Sequence, residues 1–174
     1  VSKIISAPKD EIYTGKEISL TPILLENEDP ELFEYFQLYE QKALEEEYIQ
    51  RYWYESGFGP APELGGIWEG GAILTPGSPH FIRPPNATIT KIEYSWDNRN
   101  IRNWVREVEV RLVVYANGYT GVADITAYNK GIVTSGNGFL AKAQIQFQMR
   151  VGLAKVRLYK PPYISLASVR VYYQ

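Results

Sequence analysis

Residues 141–151 read AKAQIQFQMRV. Ala141, Ala143, Ile145, Phe147, Met149 and Val151 fall on one side of a two-residue repeat, and Lys142, Gln144, Gln146, Gln148 and Arg150 on the other. A strict period of two over eleven residues is the pattern of a β-strand with one face in a core. The second face raises a question of its own. Its centre is three glutamines, which carry no charge to keep another sheet away, so it suits water or a polar contact equally well.

Downstream of residue 86 the same rhythm recurs. Thr90, Ile92, Tyr94 and Trp96 alternate within 88–96, and Val108, Val110, Leu112 and Val114 mark the next strand. Asn117–Gly118 is the pair a tight type I′ hairpin demands, with a return strand over 119–128. Asn129–Gly131 and Gly136–Gly138 read as two further turns, followed by strands at 141–151, 155–159 and 165–173. Upstream, Ile18, Leu20 and Ile23–Leu25 suggest another strand. The expectation is a mainly β protein, an antiparallel β-sandwich of immunoglobulin-like or jelly-roll type forming a single domain over 1–174.

Two segments interrupt that rhythm. Over 29–56, Asp29 fits an N-cap, Pro30 the first helical position, and Leu32, Phe36, Tyr39 and Ala43 recur at spacings of four and three. Leu44, Tyr48 and Tyr52 form an adjoining stripe, so one inserted amphipathic helix is expected there. Residues 57–85 hold seven glycines and six prolines and read as a long loop or arm, with short strand pieces at 67–68 and 72–74.

Composition bounds the function. The 174 residues suffice for one sizeable core. No apolar run approaches the ~20 residues of a membrane-spanning helix. A net charge of −2 argues against nucleic acid, although Arg99, Arg102, Arg106 and Arg111 are interleaved with Trp96 and Trp104. Charge is unevenly spread: residues 1–96 hold 7 basic and 16 acidic residues, and 97–174 hold 11 and 4. Such a split suits an acidic part packed on a basic one, within a chain or between chains. There is no cysteine, hence no thiol nucleophile, disulfide or thiolate metal site. The start at Val1 is expected of a mature chain whose signal peptide is gone, and Asn86–Ala87–Thr88 fits an N-glycosylation sequon, so an extracellular, cell-surface or virion location is expected. A single methionine and no cysteine also suit a heat-adapted source.

Catalytic patterns are sparse. The one histidine, His80, sits in a proline-bound loop beside Ser78 without a nucleophile elbow. Glu63, Glu69, Glu93 and Asp97 lie near Trp68, Tyr94 and Trp96, as a glycosidase would need, but nothing in the sequence puts two of them in one cleft. No phosphate-binding or calcium-binding motif occurs, and no cofactor or metal is expected. The expected function is therefore a non-catalytic structural subunit that self-associates into a homopolymer. It would be a pilus-like adhesive filament, with the N-terminal segment exchanged as a donor strand, or a virion coat. Val1, Ile4 and Ile5 would make that contact with Tyr48, Tyr52 and Trp53, residue types favoured where one end is dry and the other wet. The alternative is a carbohydrate-binding module that stacks a glycan on Trp68, Trp96 or Trp104.

Overall fold

The computed structural model describes residues 17–19, 21–24, 51–78, 81–116, 118–134 and 139–174. Ten strands run in chain order: β1 Glu17–Ser19, β2 Thr21–Leu24, β3 Arg51–Gly57, β4 Glu69–Leu74, β5 Ile89–Trp96, β6 Val108–Ala116, β7 Tyr119–Asp124, β8 Lys130–Thr134, β9 Gln144–Val151 and β10 Ala167–Tyr173. They form two sheets, A in the order β1-β7-β6-β9-β4 and B in the order β2-β8-β5-β10-β3. Every pairing is antiparallel except that of β1 with β7. The chain is thus mainly β, with a three-residue 3-10 turn at Arg102–Trp104 as its described helical element.

The alternation that predicts the strands also makes the core. Val110, Leu112 and Val114 of β6 join Ile145, Phe147 and Met149 of β9, and sheet B adds Ile92, Tyr94 and Trp96 of β5 with Val169 and Val171 of β10. Both sheets therefore share one buried apolar cluster. Gly118, just before the paired end Tyr119, has a φ of 75°, in the left-handed region that glycine enters without cost.

Several local expectations are corrected. The inserted helix over 29–56 is not supported: its last residues are strand β3, paired along its whole length with β10, and residues 29–50 lie outside the described ones. Aromatic residues favour a pleated, half-buried surface, and here cross-strand packing overrides the helical spacing. Residues 141–143 form a turn before β9 rather than its start, with Ala141 N–H donating to Ala87 C=O. Asn129 leads straight into β8, where Lys130 and Gly131 are paired with β5, so this stretch is no turn. Residues 155–159 contribute one isolated bridge, Leu64 to Arg157, instead of a strand. Residues 136–138 lie outside the described residues.

The glycine-rich segment after Gly57 is fastened rather than free. Gly65 and Gly66 N–H donate to Val156 and Val151 C=O at 2.8 and 2.9 Å, and Ile164 N–H donates to Pro60 C=O at 2.9 Å. Its strand β4 pairs with β9 and bulges between Gly70 and Ile73. A Cβ on Gly71 would lie 2.5 Å from the Phe58 carbonyl oxygen, so only glycine lets these two backbones approach.

Candidate functional site

The centre of the glutamine face of β9 is not open to solvent. Gln146 and Gln148 are both 0% exposed. Gln148 Nε2 donates to Gln146 Oε1 at 2.8 Å and to the Tyr115 hydroxyl at 3.2 Å. Gln146 Nε2 donates to Gly71 C=O at 3.1 Å, a carbonyl presented by the β4 bulge. Arg111 Nε donates to Gln148 Oε1 at 2.8 Å. The Trp68 ring lies 4.0 Å from the Arg111 guanidinium and 4.8 Å from that of Arg150, which also pairs with Glu109 at 2.8 Å. Each amide is met by partners, which is what lets a polar row be buried. This network is built to hold sheet A together and offers no unfilled site.

The outer face of sheet B is different. Cross-strand register lays out three rows. Ser56, Ser168, Ser95 and Lys130 form one, Tyr54, Arg170 and Glu93 the next, and Tyr52, Tyr172 and Lys91 the third. Tyr52 and Tyr54 are 52% and 54% exposed on β3, the edge of the sheet among described strands. The Arg170 guanidinium lies 5.0 Å from the Tyr52 ring and 6.0 Å from that of Tyr54, and Tyr52 packs on Tyr172 at 5.5 Å. Glu93 accepts from the Tyr172 hydroxyl at 3.2 Å and lies 3.8 Å from both Lys91 Nζ and Arg170 Nη1. Lys91 is buried beneath Tyr172, 4.3 Å from its ring centre, and desolvation pulls its pKa below the usual lysine range. Burial likewise raises the Tyr172 and Tyr94 phenols.

An open depression of about 270 Å³ follows these rows, lined by Tyr54, Glu93, Tyr94, Ser95, Lys130, Ser168 and Arg170. A second, of about 280 Å³, shares Ser95, Lys130 and Ser168 and extends to Asp97, Asn98, Arg99 and Asn129. Here Arg99 forks onto Asp97, its Nε donating at 2.9 Å to both carboxylate oxygens, while Ser165 donates to Asp97 Oδ2 at 3.2 Å. The Arg99 hydrogen bonds hold the Asp97 carboxyl well below the usual carboxylate range. Glu93 lines the first depression and Asp97 the second. Among the described residues no three His, Asp or Glu side chains gather as a metal site would require.

The anticipated site residues are thus dispersed. Val1, Ile4, Ile5, Tyr48 and His80 lie outside the described residues. Tyr52 is exposed, but Trp53, expected beside it as a contact, points the other way into the core because strand alternation separates neighbours. Its Nε1 donates to Ala141 C=O at 2.7 Å. Of the stacking candidates, Trp96 is buried in the core, Trp68 is half-buried against arginines, and Trp104 is half-buried with Nε1 on Lys160 C=O at 2.9 Å, so the three make no common platform. Arg102 and Trp104 lie in the 3-10 turn, not on a strand. Asn86 is exposed in a turn closed by Ala87 N–H on Pro84 C=O. Sequence reading missed Ser95, Ser168, Arg170 and Tyr172. The signal was present in the alternation of Tyr52 with Tyr54 and of Ser168, Arg170 and Tyr172, on segments read for their apolar side.

No protein-family model matches the chain, and no curated protein matches it in sequence. Among solved structures, the chain is similar to the one titled "Crystal Structure of FLHE", at 18% identity and a TM-score of 0.53, over 72% of this chain and 97% of that one, a likeness of fold alone.

Proposed function

We propose that the protein is a non-catalytic subunit of an extracellular assembly, a pilus-like filament or a coat, that makes contacts through exposed sheet edges instead of turning over a substrate. The observation that carries this reading is β3, the edge of sheet B among the described strands, which presents Tyr52 and Tyr54 more than half exposed beside Arg170. Tyrosine and arginine are the residues enriched where proteins meet, and an edge strand is a template for a further strand. Val1–Ile5 of a neighbouring copy is the donor segment in this reading, and the acidic and basic halves give the contact a direction. The two sheets would pack as an immunoglobulin-like sandwich. In support, β1 and β2 follow one another in sequence yet join different sheets, one parallel to β7 and the other antiparallel to β8.

Negative-stain electron microscopy at neutral pH and low salt tests the proposal. Filaments or shells are expected from the full chain, and a chain lacking residues 1–6 should stay folded and monomeric. Isolated particles of one chain's mass at every concentration would reject it.

One observation favours a second reading, carbohydrate binding on the outer face of sheet B. The depression there combines the Tyr54 ring with the hydroxyls of Ser95 and Ser168 and the charges of Glu93, Lys130 and Arg170. Tyr54→Ala should abolish retention on a glycan panel that the unaltered chain recognises. A panel with no binder would eliminate this reading.

A further inference from the structure

A different region carries an apolar surface that neither reading uses. Between β9 and β10 the chain runs from Gly152 to Leu166 without a strand, at the end of the molecule where β6 begins. It is firmly held. Leu158 N–H donates to Glu63 C=O and Gly152 N–H to Glu107 C=O, both at 2.9 Å, and Trp104 Nε1 donates to Lys160 C=O. Yet Leu153 is 80% exposed, Tyr159 78% and Val156 56%, and Val105 on the adjoining turn is 68% exposed. These side chains project from a stapled backbone, so their exposure is a fixed property of the surface.

Cations are interleaved with them. Lys155, Arg157 and Lys160 are exposed within the same segment, which contains no acidic residue, and Arg102 and Arg106 are exposed on either side of Trp104 and Val105. The three loops at this end, 58–66, 97–107 and 152–166, together hold six basic and three acidic residues in a chain whose net charge is −2. Lys160 and Arg102 are held at φ 47° and 57°, a region that side-chain-bearing residues enter at a cost.

We propose that this loop end docks on an anionic membrane surface, with Leu153, Val156 and Tyr159 entering the headgroup region and Lys155, Arg157 and Lys160 meeting lipid phosphates. The alternation is what selects lipid. A protein interface gathers its apolar residues into a core depleted of lysine, whereas a membrane interface accepts apolar tips and long cationic side chains side by side. No helix among the described residues is long and apolar enough to cross a membrane, and peripheral docking needs none.

The test is co-sedimentation of the full chain with phosphatidylcholine vesicles, with and without about a third phosphatidylglycerol. Binding should require the anionic lipid, weaken with salt, and fall at least about tenfold in the double variant Lys155→Glu/Arg157→Glu. Because the chain has no cysteine, Leu153→Cys can carry an environment-sensitive dye. Its emission should shift to the blue on anionic vesicles, while a dye at Tyr119→Cys, at the far end of the β6–β7 hairpin, should not respond. Unchanged near-ultraviolet circular dichroism would show that the variants are folded. Absence of vesicle binding would overturn the proposal. So would binding without a dye shift at Leu153, which is mere adsorption, or binding to polyglutamate but not to vesicles, which would assign the surface to an acidic protein.

Discussion

Two amides decide how sheet A is closed. Gln146 and Gln148 are buried because their donors and acceptors meet one another, Tyr115, Arg111 and the Gly71 carbonyl. Removing one partner leaves the others dry and unmet, so Gln148→Ala should destabilise the fold by about 2–3 kcal/mol in urea titration. Tyr115→Phe, which deletes one hydroxyl, should cost about 1 kcal/mol. At the surface, Asp97 is held ionised by its hydrogen bonds from Arg99. Its folded pKa lies below the ordinary carboxylate value of about 3.9, so its pairing with Arg99 contributes fully above that pH. The contribution is lost as the pH falls from there through the lower folded value. Asp97→Asn should therefore flatten the acid limb of a Tm-against-pH curve below about pH 4 and leave the alkaline limb unchanged. Added salt should shrink the difference, since the Arg99 side chain is 82% exposed.

Among the elements, β3 shows where sequence periodicity misleads. Tyr48 and Tyr52 sit four apart, as on a helix, but Tyr52, Trp53 and Tyr54 alternate out, in and out, as on a strand. Trp53→Ala should then cost about 3–5 kcal/mol, while Tyr52→Ala should cost under about 1 kcal/mol; helical packing of the stripe would give the opposite order. The strands β5, β6 and β10 were legible to within two residues, because one-sided burial writes itself as alternation. The outer faces were not. The partner that Gln146 finds is a carbonyl presented by the bulge between Gly70 and Ile73, some 75 residues away, which no local pattern encodes. The neutral centre between Lys142 and Arg150 was the one hint, since an exposed strand face ordinarily carries charge. The Tyr54, Arg170 and Glu93 row was hidden for the same reason: three strands contribute one residue each.

At the scale of the whole molecule the two sheets differ in kind. Sheet A is sealed on both sides at the centre of β9, whereas sheet B leaves its tyrosine and arginine rows open, and the Gly152–Leu166 end adds a second, cationic surface. Two separable surfaces make two separable losses. Tyr54→Ala should leave vesicle binding intact, and Lys155→Glu/Arg157→Glu should leave any filament or glycan contact of sheet B intact, each checked by the assay of the other. The sealing of β9 also sets a clock. With Ile145, Phe147 and Met149 dry on one side and Gln146 and Gln148 dry on the other, the centre of this strand presents no face to solvent. Its amide protons should be the last to trade with deuterated solvent, on the timescale of global unfolding, while those of β3 at the rim of sheet B should trade far sooner. The stretch that reads as half-wetted in sequence would then be the slowest part of the protein to become wet.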